Sequence, residues 1–145
     1  MPDSPARTVD VRGPRFAAWV TSAVLAVVLL TASGWLAAAQ AAVFAVGAAA
    51  GLRYAPYGIL FRALVAPRLG PVREREPEPP VRFAQLVGLG FACVGTAGYL
   101  FGAPLVGAVA TGLALVAALL NAATGFCLGC GLYLLVRRVR PARTA

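Results

Sequence analysis

Histidine and lysine are both missing from this chain, and acidic residues number only five. The lack of histidine excludes a Cys-x-x-Cys-His haem attachment site, a mixed Cys/His metal centre and any triad built on imidazole. A single methionine, at the start of the chain, leaves ordinary axial haem ligation without a ligand as well. Charge is scarce altogether: 12% of the 145 residues are charged and 60% are hydrophobic, where a soluble domain carries about a quarter charged residues. What charge there is falls into three clusters separated by long apolar runs, the pattern of a membrane protein. No stretch is long enough to form a second, soluble core.

All 13 basic residues are arginine, and the net charge is +8. Basicity of this size raises the question of nucleic acid. These arginines, however, flank apolar segments and form no continuous patch with aromatics between them, so no nucleic-acid partner is expected. Topology accounts for them better. The N-terminus, the central segment and the C-terminus hold 3, 6 and 4 arginines, while the two short turns around Ser33 and Ala103 hold none. By the positive-inside rule all three arginine-bearing segments lie in the cytoplasm, and four spans form two hairpins.

The expected architecture is an all-α membrane protein of four transmembrane helices, arranged as two tandem hairpins with a short interfacial helix after each. Residues 1–13 read as a flexible cytoplasmic terminus. Within a single membrane domain over 14–138, the first hairpin covers 14–52, an interfacial helix and linker 53–80, the second hairpin 81–124, and a cysteine-bearing interfacial helix 125–138. A basic tail occupies 139–145. The apolar run from Phe16 continues past Ala32 into a second run with no polar stretch for cleavage, so it is expected to be a retained helix and not a cleaved signal. Trp35 falls at the outer interface, where indole rings prefer to sit. Tyr57, Leu60, Phe61 and Leu64 share one face at helical spacing, which predicts a helix lying in the interface. The prolines and alternating charges of 71–80 predict an extended linker.

The two halves align at an offset of 67 residues, which sets Arg15-Phe16-Ala17 on Arg82-Phe83-Ala84 and Gly58 on Gly125. Such a repeat is parallel and relates the hairpins by an axis along the membrane normal. Gly47 to Gly51 and Gly98 to Gly102 have the spacing that permits close helix contact. Gln40 and Asn121, polar within spans, are expected to hydrogen-bond between helices, or to line a polar path.

Chemistry rests on Phe126-Cys127-Leu128-Gly129-Cys130, which holds two of only three cysteines. The i, i+3 spacing on a helix sets both sulfurs on one face, close enough to be bridged. Four readings stand side by side: packing by small soft side chains, a structural disulfide, a reactive dithiol or sulfur carrier, and a half-complete metal site. The second is disfavoured at a reducing cytoplasmic end, and the last needs two more ligands from elsewhere, so no metal and no cofactor is expected. Reactivity gains from a bend at Gly125. A helix starting there places Cys127 in its first turn, where free backbone N–H groups favour a thiolate, and Arg62 acts in the same direction if the pseudo-symmetry brings it near. Cys93, mid-span, is expected to be a packing residue.

Arg12-Gly13-Pro14-Arg15-Phe16-Ala17, Tyr57-Gly58-Ile59-Leu60-Phe61-Arg62, Pro67-Arg68-Leu69-Gly70, Arg82-Phe83-Ala84-Gln85 and the terminal Phe-Cys-x-Gly-Cys together resemble an actinobacterial integral membrane family defined only as a domain of unknown function (4395). The resemblance covers about Val9 to Arg138. Each hairpin is also similar to the small membrane domain fused to rhodanese modules, although Leu128 stands where that domain has proline. The resemblance implies a place near sulfur or thiol traffic, with thioredoxin-like or rhodanese-type sulfurtransferase partners. The expectation is a membrane component of a thiol-redox or sulfane-sulfur relay, with Cys127 attacking and Cys130 resolving. The alternatives are a passive anchor for such partners, or a small sulfur-anion transporter, which four short spans without a buried charge could form only as a homo-oligomer.

Overall fold

The computed structural model describes residues 8–71, 75–125 and 127–139. Phe126 of the cysteine motif, residues 72–74 of the expected linker and the tail from 140 onward lie outside the described residues. In chain order the elements are β1 (Thr8–Asp10), α1 (Arg12–Thr31), α2 (Gly34–Ala49), α3 (Pro56–Leu60), β2 (Arg75–Pro77), α4 (Glu78–Leu100), α5 (Pro104–Thr124) and α6 (Leu128–Val139). After α3 the chain stays helical through a wide turn at Phe61–Val65 and a tight one at Ala66–Arg68.

Three helices are long and apolar enough to cross a membrane: α1, α4 and α5, with 20, 23 and 21 residues and mean hydropathies of 1.6, 1.5 and 2.1. The fourth apolar helix, α2, has 16 residues, about 24 Å of helix. Large apolar side chains point outward along all of them, among them Trp19, Leu30, Trp35, Leu105 and Val116. A soluble protein does not expose apolar surface on that scale. The chain is a multi-pass membrane protein.

The turns between helices are made locally. Ala32 adopts the left-handed conformation and donates its N–H to Val28, and Ser33 Oγ then accepts the Leu36 N–H at 3.1 Å to cap α2. At the second turn Gly102 supplies the positive φ and Pro104 opens α5, where its missing N–H costs nothing.

Inside the bundle, small residues let backbones approach. A Cβ at Gly98 would lie 2.4 Å from the Gly107 nitrogen, and one at Gly88 would lie 2.8 Å from the Phe44 ring. Such contacts bring helices together by dispersion where lipid provides no hydrophobic drive. The expected seams are only half used. Gly47 and Gly98 pack, whereas Gly51 and Gly102 serve turns with φ of 102° and 86°.

The hairpins are interlocked and not side by side. Helix α2 packs mainly on α4, and α5 packs on both α4 and α1, while contact within the first hairpin is slight. The Arg-Phe-Ala segment shared by the two halves makes reciprocal contacts. Arg15 at the start of α1 donates to the Ala122 carbonyl at the end of α5 (3.2 Å), and Arg82 at the start of α4 donates to the Ala48 and Ala49 carbonyls at the end of α2 (2.8 and 2.9 Å). Each satisfies helix-end carbonyls of the other half, where the dipole is negative. Phe16 and Phe83 likewise stack against Phe61 and Tyr133, with ring centroids 5.8 and 5.7 Å apart. α1 and α4 therefore start at the same end of the bundle and run the same way.

Several boundaries are corrected by these contacts. Gly58 lies within α3, whereas Gly51 and Gly125 each follow an apolar helix with positive φ. Part of the expected flexible terminus is strand β1, paired antiparallel with β2 in the expected linker through Thr8 and Pro77, Val9 and Glu76, and Asp10 and Arg75. The last linker residues, from Glu78, are already helical. The strands form because Asp10 grips Arg12 with both oxygens (3.0 and 2.7 Å) while Arg12 also donates to the Gly70 carbonyl (3.1 Å), tying terminus to linker. The face of α3 splits: Phe61 is buried against α1, whereas Leu60 and Leu64 point outward.

Candidate functional site

Gly125 ends α5 with φ of 79°, its N–H returning to the Asn121 carbonyl at 2.8 Å. A residue with a Cβ is strained in that conformation, and glycine is not. The next helix begins at Leu128, not at Gly125, so Cys127 stands at the cap and not in the first turn. Its carbonyl accepts the Gly131 N–H at 3.0 Å, and its Sγ accepts the Cys130 N–H at 3.1 Å. The sulfur thus occupies the place of a capping oxygen, facing the positive end of α6.

Cys127 and Cys130 form a close pair, with Cα atoms 5.1 Å apart, within the span a disulfide bridges, and both residues are half-buried. The placement of α6 depends on Gly129. A Cβ there would lie 2.5 Å from the Ala84 Cβ and 2.6 Å from its Cα, so α6 rests directly on the backbone of α4. The glycine between the two cysteines is what allows this contact.

The pair lines a cavity of about 560 Å3 bounded by α1, α2, α4, α5 and α6. Arg15, Thr21, Gln85 and Asn121 contribute polar groups to it. Arg15 is the cation beside the site, its Nε 3.9 Å from where a Gly125 Cβ would stand. Arg62 is not. It donates to the Arg53 carbonyl and lines a different cavity. An arginine of the first half does stand beside the cysteines, but it is Arg15, which leads α1.

That second cavity, about 570 Å3, lies between α1, α3 and the strand pair, and holds no cysteine. Glu78 is buried on its wall and accepts the Leu52 N–H at 3.1 Å. Tyr57 also lines it and donates to Gln40 Oε1 at 2.6 Å, and burial holds the Tyr57 phenol above its ordinary range. Gln40 therefore makes the hydrogen bond between helices that was expected of it. Asn121 instead faces the cysteine cavity. Cys93 is exposed on the outer face of α4 and does not pack, because Ala92 and Gly95 occupy the buried positions there. Among the described residues no three or more Cys, Asp or Glu side chains cluster as metal ligands do.

Sequence reasoning singled out both cysteines but not Arg15, Gln85 or Thr21, which line the same cavity. The signal for Arg15 was its match to Arg82, which pointed to a shared role without revealing that the role is played on the opposite hairpin. In comparisons with known proteins, residues 9–138 match the family described as a domain of unknown function (DUF4395). No curated protein and no solved structure matches.

Proposed function

The chain belongs to the DUF4395 family, and on that premise we propose that it is a membrane-embedded dithiol relay working at the cytoplasmic face through Cys127 and Cys130. The observation that carries this reading is the capping geometry: Cys127 Sγ accepts the Cys130 N–H at the start of α6, on the wall of a cavity, with Arg15 beside the preceding turn. Backbone donors, a helix N-terminus and a nearby cation each stabilise a thiolate over a thiol. A thiolate is the species that attacks disulfides and accepts sulfane sulfur.

In the reduced protein the Cys127 thiolate attacks a partner disulfide, forming a mixed disulfide and releasing one partner thiolate, which takes up a proton. Cys130, losing its proton, then attacks Cys127 Sγ and releases the second partner thiolate. The partner gains two electrons and the pair becomes the disulfide. A partner persulfide is attacked in the same way, with its outer sulfur passing to Cys127. Thioredoxin-like proteins and rhodanese-type sulfurtransferases are the partner classes that offer such groups. They would approach the end of the bundle where the arginine-bearing segments gather. In this reading α2 spans with α1, α4 and α5, giving four spans with both termini in the cytoplasm.

The test is differential alkylation of the reduced protein with iodoacetamide at mildly acidic pH, followed by mass spectrometry. Cys127 is expected to react well ahead of Cys93, whose thiol lies on the outer face of α4. Peptides from freshly isolated membranes should carry the Cys127–Cys130 pair bridged or with added sulfur. Equal, slow labelling of all three cysteines, with partner recruitment intact after both are replaced, would make the protein an anchor.

A further inference from the structure

The cavity behind the cysteines bears on where the electrons go. Its volume of about 560 Å3 falls among small-molecule sites, which span about 300–1,000 Å3. Its lining runs along α4 from Val81 to Phe91 and along α5 from Leu113 to Asn121, so it extends from the cysteines into two helices long enough to cross a bilayer. Phe44 and Phe91 present aromatic rings to it. Its polar side chains, Arg15, Thr21, Gln85 and Asn121, all carry hydrogen-bond donors, and no carboxylate is among the described residues that line it. A cation finds no counter-charge there. A plain hydrocarbon chain gives these groups no acceptor beyond the Ala122 carbonyl that Arg15 already reaches. The walls suit a flat, apolar molecule bearing carbonyl oxygens.

Closing a dithiol releases two electrons and two protons, and an acceptor seated in this cavity lies against the sulfurs. We infer that the cavity binds a bilayer-soluble quinone, which oxidises the Cys127–Cys130 dithiol. The inference rests on the dithiol reading above and names its second substrate class: the exchange described there, run in reverse from a partner dithiol, returns the pair to the Cys127–Cys130 dithiol that the quinone then oxidises. The reaction balances without further reagents. The two thiols lose two electrons and two protons as the S–S bond forms, and the quinone takes up both at its two carbonyl oxygens and leaves as hydroquinone. The donors of Arg15 and Asn121, at the cysteine end of the cavity, hold a carbonyl oxygen as it gains charge.

The full-length protein in detergent, reduced and freed of reductant, is mixed anaerobically with a tetramethyl-substituted benzoquinone, whose ring has no open position for thiol addition. Quinone absorbance and the mass of the C-terminal peptide are followed together. One hydroquinone and one Cys127–Cys130 disulfide per chain are expected. Ala117→Phe, which fills the cavity, should slow quinone reduction at least tenfold, and Ala117→Val less. Both variants should react with a soluble aromatic disulfide at the unsubstituted rate. Exchange with the soluble disulfide but no hydroquinone, or hydroquinone at the same rate in Ala117→Phe, would overturn the quinone site and leave the dithiol relay standing. Failure of both reactions in the unsubstituted protein would overturn the relay and the quinone site together.

Discussion

Gly129 has no room for a methyl group, since a Cβ there would meet the Ala84 Cβ at 2.5 Å and its Cα at 2.6 Å. Backbone cannot retreat as a flexible side chain does, so Gly129→Ala should push α6 off α4. The expected loss is about 1–3 kcal/mol, the usual scale of overpacking, read as a lower unfolding temperature in detergent. Gly112→Ala is the control, because nothing lies within 4 Å of a Cβ at Gly112 and alanine is the better helix former by about 1 kcal/mol. It should be neutral or stabilising. At this scale the sequence made Cys127 and Cys130 legible, because their spacing is short and needs only a helix to bring the sulfurs together. Arg15 was not legible as a site residue, because its partner Ala122 is 107 positions away and nothing local marks that contact.

Among the elements, the strand pair is held by a charge that titrates. The Arg12 guanidinium, hydrogen-bonded to Asp10, holds the Asp10 carboxyl below its ordinary range. A group whose folded-state pKa is lowered contributes stability that is complete above its unfolded value, about 4, and is lost as pH falls through the folded value. Protection of β1 against hydrogen exchange, corrected for the intrinsic rate at each pH, should therefore be high and constant at neutral pH and fall only below about pH 4. In Asp10→Asn the protection should be low throughout and flat with pH. An unsubstituted protein with equal protection at pH 3 and pH 7 would contradict the role given to this ion pair. The sequence showed the four apolar helices, three long and one shorter, because each is a run of apolar residues between turn formers. It did not show β1, β2 or the start of α4. Three-residue strands have no periodicity to read, and Glu78 is buried only because the Leu52 N–H is brought to it from the end of α2.

For the whole molecule, the proposed orientation rests on the distribution of arginine. In a background without native cysteines, cysteines placed at Thr31 and Ala103 should label with an impermeant maleimide added outside intact cells, and one at Arg68 should label only after permeabilisation. The reverse pattern would invert the topology. All three positions are exposed, so protection would reflect the membrane and not burial. Composition, the apolar runs and the placement of arginine were enough to establish a multi-pass helical protein and to single out its cysteine pair. They report on how each segment partitions between water and lipid, which depends on that segment alone. The crossing of the two halves, with Arg15 and Arg82 each capping a helix of the other, was decided by the tertiary structure. So were the assignment of Cys127 to a cap and the cavity behind it. Each of these depends on which backbones approach closely enough to pack, and glycine and alanine, which permit that approach almost everywhere along this chain, do not say where it happens.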